Sequence, residues 1–255
     1  MKKEDLNENY GLYKSLDLEK DQRINIFCKA GGGFIYFTML VIGYFLSGRL
    51  LFFKFEGNLP LLFIQFTLVI ILFFLYSILH ELVHYITAKI LKINAKWNRD
   101  GLSPYTSLEN ELIESKKYYV IVFSPIVLFT VILIPLQIIV AIFAHDWFWL
   151  VWLIFMQNFA SSIGDIVAYF LTKKFKKAYL EDSNIKISIY VPKEKFEDYK
   201  QMEKAYFEKK AKKHAKKNKV KNLIKDIPNQ ARKKLDQKEN NLEEEDIEDL
   251  NKIDM

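Results

Sequence analysis

The sequence predicts an all-α polytopic membrane protein with four transmembrane helices, cytoplasmic termini, a short cytoplasmic strand and a charged C-terminal tail, part helical and part disordered. Three observations carry that expectation. Long apolar runs crowd into residues 33–172, whereas the last 80 or so residues are mostly charged. A mean hydropathy close to zero therefore conceals two unlike halves. Lys and Arg also cluster in three segments that an even number of spans would bring to one side.

A spanning helix needs about 20 mostly apolar residues to cross roughly 30 Å of hydrocarbon, and four segments meet that requirement. The first covers 33–53, with Arg49 near its far end able to snorkel to the interface. The second begins at Pro60 and continues to about residue 91. The third spans 118–144 and contains Pro125 and Pro135. The fourth covers 147–171, with Trp147, Trp149 and Trp152 at its start in the manner of an interfacial aromatic belt. Basic residues mark the segment before the first span, the 92–117 loop, and the "TKKFKK" stretch after the fourth. The positive-inside rule then makes both termini cytoplasmic, in a multi-pass protein of the cell membrane. The net charge of +6 is read as topology information before nucleic-acid binding. The single Cys28 excludes an internal disulfide framework and a cysteine metal site, and the polar first thirty residues carry no cleavable signal peptide.

The chemistry concentrates in "LHELVHYITAKI". In H-E-x-x-H, His80 and His84 lie one turn apart on one helix face, so both imidazoles can reach a single tetrahedral Zn²⁺. Glu81 falls beside that metal, where a carboxylate serves as general base toward an attacking water and then passes the proton to the leaving amine. The plainer alternative is an amphipathic helix end, with the histidines in water and Glu81 paired to Lys89 or a loop. The apolar surroundings favour function, because ionisable groups there are costly without a partner.

A third ligand is sought at the same depth. In "NFASSIGDIVAY", Asn158, Ser161, Ser162 and Asp165 form a polar stripe at i, i+3, i+4 and i+7. His84 and Asp165 each come about eight residues before a basic segment, roughly 10 Å inside that boundary. Asp165 is the favoured ligand, its alternative being the cap of a kink near Gly164. Pairing of Asp165 with Arg49 is disfavoured, since the topology puts Arg49 at the opposite face. Asn158 would contact substrate or an oxyanion with Ser161 and Ser162 nearby, or pack against another span through its amide. Glu109, Glu111 and Glu114 are rival ligands in a solvated loop.

These residues resemble the putative zincin peptidase family, multi-span bacterial membrane proteins distantly similar to site-2 intramembrane metalloproteases. The resemblance runs from about residue 60 to about 192, through "HELVHYITAKI", "KKYYVIVFSPI", "NFASSIGDIVAY" and "AYLEDSNIKISIYVP". It implies an aspartate ligand, which maps to Asp165. The site-2 class usually has a glycine after that aspartate, whereas here Gly164 precedes it, so similarity to that class is one of arrangement.

The chain accordingly divides into a cytoplasmic segment 1–32, a transmembrane metalloprotease-like domain 33–175, an extended segment 176–194 and a tail 195–255. The 92–117 loop borders the site as a connector or a substrate gate. Residues 183–192 alternate as a strand that either pairs with an extended substrate or ties down the tail. Residues 195–225 form a basic helix attracted to anionic lipid, with His214 solvated among lysines. The acidic end is disordered or weakly helical. Together these features describe a zinc metalloprotease with one ion, acting near the cytoplasmic face on membrane-anchored or juxtamembrane proteins. Two other classes compete: a non-catalytic adaptor with a structural metal site and a recruiting tail, and an ion transporter. The transporter is weaker because the polar groups cluster near one face.

Overall fold

The computed structural model describes residues 6, 8–18, 20–48, 59–101, 103–183 and 186–225. Arg49 and the acidic end, for which the sequence raises expectations, lie outside them. The chain separates into two units, Met1–Phe196 and Glu197–Met255.

The first unit opens with β1 (Tyr10–Asp17) and then α1 (Gln22–Ser47). Asp21 starts α1 by accepting from the Arg23 and Ile24 backbone N–H groups at 3.0 and 3.4 Å, which satisfies two of the free donors at a helix start. Gly48 ends it in the left-handed region at φ 67°, a conformation that a Cβ would oppose. The first apolar helix thus lies nearer the N-terminus than the 33–53 boundaries anticipated. Next come α2 (Leu59–Ile90), β2 (Lys96–Asp100), β3 (Ser103–Glu114) and α3 (Ser115–Phe143). A 3₁₀ turn at His145–Trp147 leads into α4 (Phe148–Ser161) and α5 (Ile163–Thr172), followed by β4 (Tyr179–Asp182) and β5 (Lys186–Pro192).

Among the described residues, four helical segments are long and apolar enough to cross a membrane: Gln22–Ser47, Phe63–Ile90, Ser115–Phe143 and His145–Thr172. The last is broken at Ser162, whose ψ of 1° divides α4 from α5. Large apolar side chains face outward along the helices, among them Phe34, Phe45, Phe63, Val131 and Phe143. That is the surface hydrocarbon accepts and water does not.

Two of the three tryptophans depart from the aromatic-belt expectation, whereas Trp147 is half-buried. Trp149 and Trp152 are buried, packed with Phe148, Phe155, Met156 and Leu133. Gly43 explains the burial. A Cβ there would collide with the Trp152 indole nitrogen and lie 2.8 Å from Trp149 Cη2, so only glycine lets α1 approach α4 this closely. The Trp152 indole N–H then donates to the Met39 carbonyl at 2.9 Å.

A five-stranded antiparallel sheet, ordered β1-β5-β4-β3-β2, corrects the all-α expectation of a single strand. Its strands come from before α1, between α2 and α3, and after α5, so these three segments meet at one end of the helices. The other end is marked by Gln65, near the start of α2, whose amide donates to the Asp146 carbonyl between α3 and α4 at 3.0 Å. This arrangement agrees with an even number of crossings. Within the expected 92–117 loop, β2 and β3 pair as antiparallel neighbours. The expected substrate-pairing strand, β5, lies between β1 and β4. Both its edges are hydrogen-bonded within the sheet, so it has none to offer a peptide. It ties the chain together instead.

The second unit holds most of α6 (Phe196–Lys225), and His214 lies within it. Between Lys209 and Lys225 this helix has nine lysines and no Asp or Glu.

Candidate metal centre

Helices α2, α3, α4 and α5 and the sheet line a cavity of about 230 Å³, with His80, Glu81, His84 and Asp165 in its wall. His80 and His84 are both buried on one face of α2, as the four-residue spacing requires. Asp165 arrives from the first turn of α5, where the helix start favours a carboxylate. The break at Ser162 makes Asp165 part of a new helix rather than of a continuous stripe.

The hydrogen bonds behind the histidines set their orientation. His84 Nδ1 lies 2.8 Å from the Ile121 carbonyl. A carbonyl only accepts, so Nδ1 carries the proton and Nε2 a lone pair in the neutral ring. That carbonyl is available because of Pro125. In an α-helix the N–H of residue 125 would bond the carbonyl of residue 121, and proline has no N–H. Pro125 lies inside α3, and the freed oxygen also accepts from Ser124 Oγ at 2.7 Å. His80 Nδ1 lies 3.1 Å from the Tyr76 hydroxyl. That hydroxyl donates onward to Asn158 Oδ1 at 2.9 Å, so His80 is the donor at Nδ1.

Both Nε2 atoms therefore face Asp165. The distances are 3.3 Å from His80 Nε2 to Oδ2 and 3.5 Å from His84 Nε2 to Oδ1. Oδ2 is buried and accepts no hydrogen bond among the described residues. Lone pairs pointing at a carboxylate repel unless a cation stands between them. Tetrahedral zinc bound about 2.0 Å from each ligand would separate neighbouring ligands by about 3.3 Å. The donor set fits such an ion. His80, Glu81 and His84 also offer donor atoms within 4.8 Å of one another. The neutral-nitrogen and carboxylate distances to Asp165 are the tighter match.

The remaining expected residues are placed as follows. Ser161 lines the cavity. Asn158 has no exposed surface. Its amide donates to Thr130 Oγ1 at 3.0 Å and, at 3.5 Å, to the Ile126 carbonyl, so it bridges α2, α3 and α4 behind His80 and does not face the cavity. Ser162 is equally buried, its hydroxyl returned to the Asn158 carbonyl at 2.8 Å. Glu109, Glu111 and Glu114 are absent from the cavity wall, and Glu109 and Glu114 are exposed.

Tyr76, Thr106 and Asp182 escaped the sequence analysis. Tyr76 sits four residues before His80, a spacing that could have revealed it. Thr106 and Asp182 come from strands, and no local pattern links them to α2. Asp182 lies between Leu108 and Ile187 across adjacent strands and accepts from the Tyr118 hydroxyl at 2.7 Å.

Two histidines on one turn with a glutamate between them is an arrangement that metal-dependent peptidases use, and the facing Asp165 adds a carboxylate, a ligand type that zinc accepts. Over residues 73–180 the chain matches the family whose description is putative zincin peptidase. That span includes His80, Glu81, His84, Pro125, Asn158 and Asp165. The family suggests a metallopeptidase and implies zinc. No curated protein and no solved structure matches the chain significantly.

Proposed function

We propose that this chain is a membrane-embedded zinc metallopeptidase that hydrolyses peptide bonds of membrane-anchored or juxtamembrane proteins near the cytoplasmic face. The observation that carries this reading is the approach of one buried carboxylate, Asp165, to both histidine Nε2 atoms at 3.3 and 3.5 Å. His80, His84 and Asp165 hold one ion. When bound, zinc supplies a Lewis acid that polarises the scissile carbonyl and lowers the pKa of water. Glu81 accepts the proton of the attacking water and delivers it to the leaving amine. Leu108 and Ile187 give the cavity an apolar wall on its sheet side.

Membrane embedding is supported by the four apolar helical segments and their outward aromatic residues. A cytoplasmic site and cytoplasmic termini are the reading that the basic segments flanking these helices support. The lysines of α6 suit attraction to an anionic lipid surface.

The deciding experiment measures zinc and cleavage on the purified full chain. About one zinc per chain is expected. Glu81→Gln should retain the zinc and lose cleavage of a membrane-anchored substrate, whereas Asp165→Ala should lose the zinc. Undiminished cleavage by Glu81→Gln would overturn the mechanism, and normal zinc loading in Asp165→Ala would remove Asp165 from the ligand set.

A further inference from the structure

Glu81 does not stand alone in the cavity wall. The Thr106 backbone N–H, from β3, donates to Glu81 Oε2 at 2.9 Å. The Thr106 hydroxyl donates to the Glu81 backbone carbonyl at 2.8 Å. One residue of the hairpin thus grips both the carboxylate and the helix backbone of the same glutamate. Oε1 makes no such bond among the described residues. A second contact holds the same hairpin to the same helix, since Trp97 of β2 packs edge-on against Tyr85 of α2 at 6.1 Å between ring centres. Thr106 and Trp97 are partners across the β2–β3 ladder, so both contacts act at one register position.

The grip matters because of where Glu81 sits. Its carboxylate is within 4.8 Å of donor atoms of His80 and His84, close enough to become a ligand itself. A glutamate ligated to the ion would close the open position a catalytic zinc needs and convert the centre into a structural one. An N–H bond to a carboxylate is charge-assisted and directional, and it opposes that collapse while leaving Oε1 free to take a proton.

We propose that Thr106 is a positioning residue that keeps Glu81 beside the metal and off it. The role rests on the reading of Glu81 as general base, but its signature is metal affinity, which needs no cleavage assay.

The test uses the full chain in detergent, with zinc affinity measured by chelator competition and cleavage kinetics measured in parallel. Thr106→Pro removes the N–H, which points at Glu81 and not into the β2 ladder. Thr106→Val removes the hydroxyl, and Thr106→Ser keeps both donors. Thr106→Pro should bind zinc about tenfold more tightly, with kcat reduced at least tenfold and KM within about twofold, as expected for one bond to a charged group. Thr106→Val should move the same way to a smaller degree, and Thr106→Ser should match wild type. Adding Glu81→Gln to Thr106→Pro should abolish the tightening. A purely structural role predicts weaker zinc binding, so unchanged or weakened affinity in folded Thr106→Pro overturns the proposal. If that variant does not fold, the affinity of Thr106→Val decides by the same criterion. Tightening in a protein that cleaves nothing upholds the positioning and overturns the peptidase function. A wild-type chain that takes up no zinc overturns both.

Discussion

Pro125 and His84 are coupled through a single carbonyl oxygen. The proline cannot bond to Ile121 O, and His84 Nδ1 lies 2.8 Å from that oxygen. An imperfection in one helix thereby orients a side chain of its neighbour, a recognised use of proline within apolar helices. Pro125→Ala restores a backbone donor that competes for the oxygen. Partners that orient a ligating histidine are typically worth 10- to 100-fold in metal affinity. The expected outcome is about tenfold weaker zinc binding with the helix intact, measured by chelator competition and circular dichroism. Unchanged affinity would show that the Ile121 carbonyl serves both partners.

Asn158 is expected to act on stability before it acts on turnover. It accepts from Tyr76 and donates to Thr130 in a buried setting. Asn158→Ala leaves two hydroxyl groups short of a partner, at a cost of about 1–3 kcal/mol. Thermal unfolding of the purified protein should show that loss. A variant of wild-type stability but raised KM would return Asn158 to direct substrate contact.

Gly43 should tolerate nothing larger. Gly43→Ala places a methyl group against Trp152 and Trp149, and overpacking of this kind costs about 1–3 kcal/mol. The α1–α4 contact lies away from the metal centre, so zinc stoichiometry should stay at the wild-type value while the unfolding midpoint falls. Loss of zinc in this variant would mean that the packing of α1 supports the centre.

Much of the architecture was legible because it depends on local periodicity. Four apolar segments can be counted from composition alone, and a spacing of four puts His80 and His84 on one face whatever surrounds them. Asp165 could be nominated because its distance from the next basic segment matched that of His84. The sheet was less visible. β1, β2 and β3 are short or polar, and their hydrogen bonds join residues far apart in the chain, such as Leu12 with Tyr190 and Ile113 with Leu180. Trp149 and Trp152 misled for a related reason. Their position at a helix start suits an interface, but the absent side chain that buries them belongs to Gly43, over a hundred residues earlier.

By itself, then, the sequence determined the number of apolar helices, the shared face of His80 and His84, and the place of Glu81 between them. These follow from backbone geometry within a single helix, where rise and twist leave little choice. The tertiary structure decided which oxygen fixes the tautomer of each histidine, which carboxylate faces both Nε2 atoms, and which strand holds Glu81. Those outcomes depend on the close packing of separate elements, where shifts of an ångström make or break a hydrogen bond and no periodicity along the chain records them.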